Sequence, residues 1–343
     1  MESFERRLPV YLLLDTSESM LDEGIEALQK GLSTLMMDLH GDPHALETVW
    51  ISVITFADRA EQVVPLTELG RVRIPPLRCR PGTALGGALS LLQECVRREV
   101  RTHSAEVKGD WKPMVFLLTD GTPTDDWEPV AARLRASAGT RPMNLIAIGC
   151  GDDVDPYVLM QVSSNVLMMQ DRPESFRSLF QWISASLSVT SQAVASPTPG
   201  PVSLEKLPDE LRPAAAADRP RAKTGLQPHL FLPARCSRTR KPYLIRYHLN
   251  DEHRVYEPVR THRVDEEYFA GGSAETSLSV STSQLAGILP CPHCRADGAG
   301  RCECGQLMCA TDEMGPVDCP GCDEKVSFGG PSRDSFDLSG RMG

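Results

Sequence analysis

Apolar positions along the chain fall into short continuous runs, separated by stretches with a helical period. Residues 9–14 end in four apolar side chains, Tyr11 to Leu14, and run straight into Asp15. A short apolar run closed by a polar cluster is the pattern of a strand covered on both faces. Asp22–Leu39 place Ile25, Leu28, Leu32, Leu35, Met36 and Leu39 on one helical face, and Gly41, Asp42 and Pro43 end that helix. Residues 47–56 (ETVWISVITF) predict a second strand. Residues 61–66 predict a short antiparallel edge strand, where Pro65 is tolerated. Further on, 84–100 predict a helix, 113–119 a strand ending at Asp120, and 127–138 a helix. Residues 143–149 predict a strand, a helix starts near Pro156, 166–169 form a last short strand, and 176–189 a closing helix. Strands alternating with helices predict an α/β domain over 1–190, with a doubly wound, mostly parallel sheet and right-handed crossovers.

The pattern then changes. Residues 191–225 hold SPTPGP and RPAAAADRP with few aromatics, which predicts an extended linker. Residues 230–268 are β-like, with LIRYHL and HRVYEPV, and 271–283 read as a Ser/Gly-rich loop. These features predict a small β-rich domain over 226–329, followed by a flexible tail over 330–343.

Composition narrows the class. With 24% charged and 41% hydrophobic residues the balance is that of a soluble globular chain. A net charge of −10 argues against general nucleic-acid binding. No apolar run approaches the roughly 20 residues of a membrane span. The opening MESFERRLPV has no signal-peptide core, so a cytoplasmic protein is expected. Of 11 cysteines, only Cys79, Cys95 and Cys150 precede residue 236. These three lie in or beside predicted core elements and read as buried thiols.

Chemistry concentrates in two places. The first is Leu12–Met20, LLLDTSESM, where Asp15, Ser17 and Ser19 alternate at the carboxyl end of a strand. Ligands of open α/β sheets bind at that edge. One carboxylate and two hydroxyls are hard oxygen donors, suited to Mg²⁺. The string resembles the metal-ion-dependent adhesion site of von Willebrand factor A domains, whose architecture is Rossmann-like. That family adds a Thr on a later loop and an Asp after the fourth strand. Thr83 in CRPGTALGGAL and Asp120 in PMVFLLTDGTPTD stand in the same order. The resemblance implies that Ser17, Ser19 and Thr83 offer hydroxyls to Mg²⁺ (or Mn²⁺ or Ca²⁺), with Asp15 and Asp120 close by. A partner's acidic side chain would complete the shell. Asp125 and Asp126 read as rim charges.

The second place is the cysteine-rich end. Cys291 and Cys294 form a CPHC knuckle, and Cys319 and Cys322 a CPGC knuckle, which together have the spacing of a tetrahedral Cys₄ zinc site. Cys302, Cys304 and Cys309 suggest a second ion, with Cys236 as its fourth ligand and His293 behind it. Spacing alone leaves the sharing of cysteines between ions open, and one to two zinc ions are expected. Closed thiolate shells predict a structural role. Arg235, Arg238, Arg240 and Lys241 read as a solvated strand face, with an anion-binding patch as the competing reading.

An A domain followed by a cysteine-rich module opening with CSRTRKPYLIRY resembles the TerY family of bacterial proteins. In that family a tellurium-resistance type A domain is joined to a zinc-binding C-terminal domain. The resemblance implies protein partners, a serine/threonine kinase-like protein and a PP2C-type phosphatase, in a stress-response module. It implies a scaffold, and the residues themselves, which pair no nucleophile with a base along the sequence, predict an adaptor without catalysis. Three other readings compete: a phosphohydrolase of the haloacid dehalogenase type, a RING-like adaptor for a ubiquitin-type conjugation system, and a DNA-binding zinc ribbon. The phosphohydrolase needs an Asp where Ser17 stands, and the RING-like module lacks its middle histidine. Acidity argues against the zinc ribbon.

Overall fold

The computed structural model describes residues 6–103, 109–137, 142–151, 154–195, 204–214, 228–250, 252–270, 277–311, 315–328 and 335–342. Two compact units divide the chain: one holds almost all described residues up to 214, the other those from 228 on.

In the first unit the elements follow in the order β1 (Leu8–Asp15), α1 (Glu23–His40), α2 (Pro43–Thr48), β2 (Val49–Phe56), β3 (Ala60–Glu68), α3 (Leu85–Glu99), β4 (Met114–Thr119), α4 (Glu128–Ser137), β5 (Asn144–Cys150), α5 (Pro156–Val162), β6 (Asn165–Met169), α6 (Pro173–Ala195) and β7 (Leu211–Pro213). They form one sheet in the order β3-β2-β1-β4-β5-β6-β7. The inner strands are parallel, and β3 and β7 close the two edges antiparallel. This is the doubly wound α/β sheet that the apolar runs predict.

Every residue of β1 is buried. Leu8, Val10, Leu12 and Leu14 pack with α1 and α6, whereas Tyr11 and Leu13 pack with α3, α4 and α5. Successive strand residues face opposite ways, so a strand with helices on both sides must be apolar throughout. From β1 the chain first winds out to β2 and later returns to β4 on the other side of β1. Such a change of direction opens a crevice at the carboxyl ends of the two strands. Asp15 and Asp120 flank it.

Two parts of this unit differ from the sequence expectation. The turn at Gly41–Pro43 leads into α2 rather than directly into a strand. The Asp42 carboxylate accepts the N–H groups of His44 and Ala45, and Pro43 occupies the first turn. The linker also begins later than expected, because α6 continues to Ala195 and Leu211–Pro213 join the sheet beside β6. Leu211 is buried in the core. Trp182 Nε1 donates to Glu205 O at 3.0 Å, and Glu205 N donates to Ser186 Oγ at 3.1 Å. Covering the otherwise bare edge of β6 satisfies its backbone groups. The rest of the expected linker, 196–203 and 215–225, lies outside the described residues.

The second unit contains β8 (His229–Arg235), β9 (Pro242–Asn250), β10 (Val255–Arg263), α7 (Glu266–Ala270), β11 (Ser277–Ser281), β12 (Gly298–Arg301), β13 (Leu307–Ala310), β14 (Val317–Asp318), β15 (Lys325–Val326) and β16 (Asp337–Met342). One flank of β8 pairs with β9. Its other flank pairs with β13 at Arg235 and with β16 at Leu230 and Phe231. Leu230, Leu232, Ala234 and Cys236 alternate onto a core with Tyr243, Ile245 and Tyr247.

The expected flexible tail is therefore corrected for Asp337–Met342, which form β16 with Leu338 buried. Gly340 makes this possible: a Cβ there would stand 2.4 Å from Leu230 Cδ1. The expected loop at 271–283 likewise contains β11, which pairs with β16. Residues 271–276 and 330–334 lie outside the described residues. The basic stretch pairs within its own unit. Arg235 makes two 2.7 Å bonds to Glu266 and stacks on Phe269, and Arg240 bonds Asp323 at 2.6 Å. Two of its four cations are thus neutralised, which disfavours an anion-binding patch.

Candidate metal centres

At the crevice between β1 and β4 the sheet brings together all five residues singled out in the first unit. Asp15, Ser17, Ser19, Thr83 and Asp120 are each at least nine-tenths buried. Ser17 Oγ and Ser19 Oγ lie 2.8 Å apart, and Ser19 Oγ donates to Asp120 Oδ1 at 2.7 Å. Ser17 N donates to Asp15 Oδ1 at 2.9 Å, and Thr119 Oγ1 donates to Asp15 Oδ2. Both oxygens of Asp15 are thereby oriented by the protein.

Two observations test whether a cation fits here. Thr83 Oγ1 is buried and has no hydrogen-bond partner among the described residues, an arrangement that is costly unless something else uses the oxygen. Beside it lies a small hollow over Gly121. A Cβ on Gly121 would stand 2.9 Å from Thr83 Oγ1 and 3.6 Å from each of Ser17 Oγ and Ser19 Oγ. Three hydroxyl oxygens thus surround one point, with two carboxylates behind them. That donor set fits a hard divalent cation.

Burial pushes the Asp15 carboxyl up to about 6, against the hydrogen bonds from Ser17 and Thr119 that favour its charged form. A carboxyl with a raised folded pKa keeps its proton where the unfolded chain has lost it. The metal-free domain should therefore lose stability as pH rises from about 4 to about 6, by roughly 3 kcal/mol at most, and level off above. Melting curves of the wild type and Asp15→Asn across that window check this. Parallel slopes for the two proteins would reject it.

The Thr83 loop is held by residues that the sequence reading left at the rim. Thr83 N donates to Thr124 Oγ1 at 2.9 Å, and Thr124 N donates to Thr83 O at 3.0 Å. Asp125 accepts from Gly86 N at 3.0 Å and Gly87 N at 2.8 Å, so it caps the first turn of α3. The expectation of Asp125 as a rim charge is corrected on this ground. A Cβ at Gly86 would meet Trp127 Cα at 2.9 Å, which fixes glycine at that contact. The signal was present in GTALGG, where α3 opens on Ala84 with no capping side chain of its own. Asp125→Ala should cost about 1 kcal/mol of stability, as loss of a helix cap does. It should also weaken metal binding, because the same loop carries Thr83. Thermal melts with and without Mg²⁺ measure both effects.

In the second unit eight cysteines gather in two groups. Cys236, Cys291, Cys294 and Cys309 form one, and Cys302, Cys304, Cys319 and Cys322 the other, with all sulfurs of a group within 4.8 Å of one another. The expected grouping of Cys291, Cys294, Cys319 and Cys322 is therefore corrected. The pairs interleave along the chain, and spacing cannot reveal this because it carries no information on how strands return. His293 belongs to neither group: its Nε2 lies 3.0 Å from Pro242 O.

Three of the turns share one backbone pattern. Cys236 N, Cys291 N and Cys319 N donate to the carbonyl oxygens of Lys241, Ala296 and Glu324, five residues on. Arg240 N, Arg295 N and Asp323 N donate back to the cysteine carbonyls. Those last three residues take a left-handed backbone, with φ of 60°, 66° and 64°. Gly305, with φ of 93°, closes a tighter turn on Cys302. Non-glycine residues in that region carry strain.

The sulfur spacing fits a tetrahedral ion. Cys294–Cys309, Cys302–Cys322 and Cys304–Cys319 are 3.5, 3.6 and 3.7 Å apart. Zinc–sulfur bonds of about 2.3 Å place tetrahedral sulfurs near 3.8 Å. Thr239 N lies 3.4 Å from Cys236 Sγ, and Ser237 N 3.3 Å from Cys309 Sγ. Burial alone would raise the Cys236 thiol, but the hydrogen bonds from Thr239 and neighbouring groups bring it down to about 7. A thiolate set of this softness suits zinc.

A fold of this type, carrying its donor set at the switch point, is that of a von Willebrand factor type A domain, and that family model matches residues 10–179. The TerY-C metal binding domain model matches residues 228–343. The chain thus carries the two domains expected from its resemblance to the TerY family, one after the other. Domains of the first kind are generally interaction domains rather than enzymes. No curated protein matches the chain. Several solved structures are similar to it. A von Willebrand factor type A protein from Catenulispora acidiphila is 19% identical over 53% of this chain and 43% of that one, with a TM-score of 0.40. Proximal thread matrix protein 1 from the mussel byssus, with a zinc-occupied MIDAS motif, is 19% identical over 56% and 47%, with a TM-score of 0.37. BatB from Bacteroides thetaiotaomicron is 16% identical over 52% and 98%, with a TM-score of 0.36. The match spans less than half the length of the first two. Among the described residues no helix is long and apolar enough to cross a membrane.

Proposed function

We propose that this chain is a non-enzymatic adaptor that engages protein partners through a divalent cation, Mg²⁺ by the chemistry of its donors, at Asp15, Ser17, Ser19, Thr83 and Asp120. The observation that carries this reading is the unpartnered Thr83 Oγ1 beside the hollow over Gly121. A cation there meets three neutral hydroxyls and two carboxylates. An acidic side chain from a partner then completes its octahedron. The cysteine groups hold two zinc ions that fold the second unit, which serves as the platform for another partner. On the family resemblance we take the partners to be a serine/threonine kinase-like protein and a PP2C-type phosphatase, in a cytoplasmic, tellurium-resistance type stress response.

The test is binding of the full chain to each of these two proteins, in Mg²⁺ and in Mg²⁺-free buffer without chelator, so that zinc stays in place. Binding should require Mg²⁺ and be lost in Thr83→Ala. Equal affinity in both buffers removes the adaptor reading. Turnover of p-nitrophenyl phosphate that disappears in Asp15→Asn would promote the phosphohydrolase instead. The interleaving of the two cysteine groups favours a second reading, a RING-like module with cross-braced ions. Direct binding of a ubiquitin-type conjugating enzyme to the full chain would support it.

A further inference from the structure

The two cysteine groups differ in their surroundings. Cys236, Cys291 and Cys309 are buried in the core of the β8–β9 sheet, and Cys294 packs against it. In the other group Cys302 and Cys319 are buried, while Cys304 and Cys322 are exposed. Among the described residues the apolar side chains packed with that group are few: Met308, Val317, Val326 and Phe328. The strands it closes, β14 and β15, have two residues each. Each close sulfur pair sets one exposed thiol against one buried thiol: Cys322 with Cys302 at 3.6 Å, and Cys304 with Cys319 at 3.7 Å.

We infer that the Cys302, Cys304, Cys319 and Cys322 group is an oxidant-reactive site, which a hydroperoxide converts to disulfides with release of its zinc while the other group keeps its ion. The inference rests on the reading of both groups as zinc sites. An exposed sulfur attacks a peroxide oxygen, the O–O bond breaks, and a sulfenic acid forms as hydroxide leaves. The paired buried sulfur then attacks the sulfenic sulfur, forming the S–S bond and expelling a second hydroxide. With hydrogen peroxide, four thiolates, two peroxides and four protons give two disulfides, four waters and a free zinc dication. Thiolate sulfurs are oxidised and peroxide oxygens reduced. Reaction requires an oxidant to reach the sulfur, which burial denies to Cys236, Cys291 and Cys309. Loss of the outer ion frees a short hairpin. Loss of the inner one would release Cys236 at the end of β8 and Cys309 within β13.

The experiment treats the zinc-loaded full chain with hydrogen peroxide. Released zinc is followed with a chromogenic chelator, thiols are mapped by differential alkylation and mass spectrometry, and the sheet is followed by far-ultraviolet circular dichroism. Half of the zinc should leave first, with oxidation confined to Cys302, Cys304, Cys319 and Cys322 and no change in the dichroism. Cys304→Ser should purify with half the zinc and release none under the same exposure. Release of both ions together, or earlier oxidation of Cys236, Cys291, Cys294 or Cys309, overturns this inference and leaves the zinc reading standing. A chain that purifies without zinc overturns both.

Discussion

Cys309→Ser is expected to leave the second unit unfolded at 25 °C while the first unit keeps its melting transition. Cys309 is fully buried in β13, beside Cys294 and Ser237. Its unit has a small apolar core, and each cysteine turn except that of Cys302 holds a non-glycine residue in a left-handed conformation. Structural zinc supplies on the order of 10 kcal/mol or more of apparent folding free energy, comparable with the whole stability of an ordinary domain. A serine hydroxyl is a poor replacement for a thiolate, and removal of the ion also exposes three thiols that would repel one another when charged. Zinc content and circular dichroism together report the effect. The grouping itself is tested by pairs of substitutions. In Cys304→Ser, which keeps one ion, adding Cys319→Ser should lose no further zinc, because both serve the other ion. Adding Cys309→Ser should remove the remaining one. Full zinc retention and an unchanged melt in Cys309→Ser would refute the assignment.

Gly121→Ala should abolish cation binding at the first site with little effect on the fold. Gly121 does not need a positive φ, so alanine meets no backbone penalty there. The added methyl would occupy the hollow between Thr83 Oγ1, Ser17 Oγ and Ser19 Oγ, at 2.9, 3.6 and 3.6 Å. A cation bound by those oxygens needs contacts nearer 2.1 Å and cannot share the space. Loss of affinity should exceed roughly 100-fold, the upper range for disturbing only the groups that support a metal's ligands. Calorimetric titration with Mg²⁺ reads it directly. Thr83→Ala provides the comparison, because it removes one donor and leaves the hollow open. A Gly121→Ala protein that still binds Mg²⁺ with wild-type affinity would place the cation elsewhere.

Legibility in the sequence follows the range of the interactions. The run Tyr11–Leu14 into Asp15, and the run 113–119 into Asp120, mark two strands covered on both faces, because a parallel strand between helix layers has no polar side to show. The Asp15-x-Ser17-x-Ser19 spacing is local, and so is each cysteine knuckle. Three features resisted because their cause is a distant partner. Leu211–Pro213 look like linker but complete an open sheet edge. Asp337–Met342 look like a tail but pair with β8 through Gly340. Asp125 looks like a rim charge but caps α3.

The sequence by itself determined which atoms would do the chemistry: hard oxygens at one sheet edge, soft sulfurs at the other end of the chain, and the strands and turns that carry them. Residue type sets donor softness, and period sets the element, and both are written locally. Only the tertiary structure decided that Asp15 and Asp120 meet across the switch point between β1 and β4. It alone placed Thr83 Oγ1 over the hollow at Gly121, and it divided the cysteines as 236, 291, 294 and 309 against 302, 304, 319 and 322. Those choices depend on how strands far apart in the chain pair with one another. Pairing is fixed by the burial of whole faces and the closing of sheet edges, which no window of sequence contains.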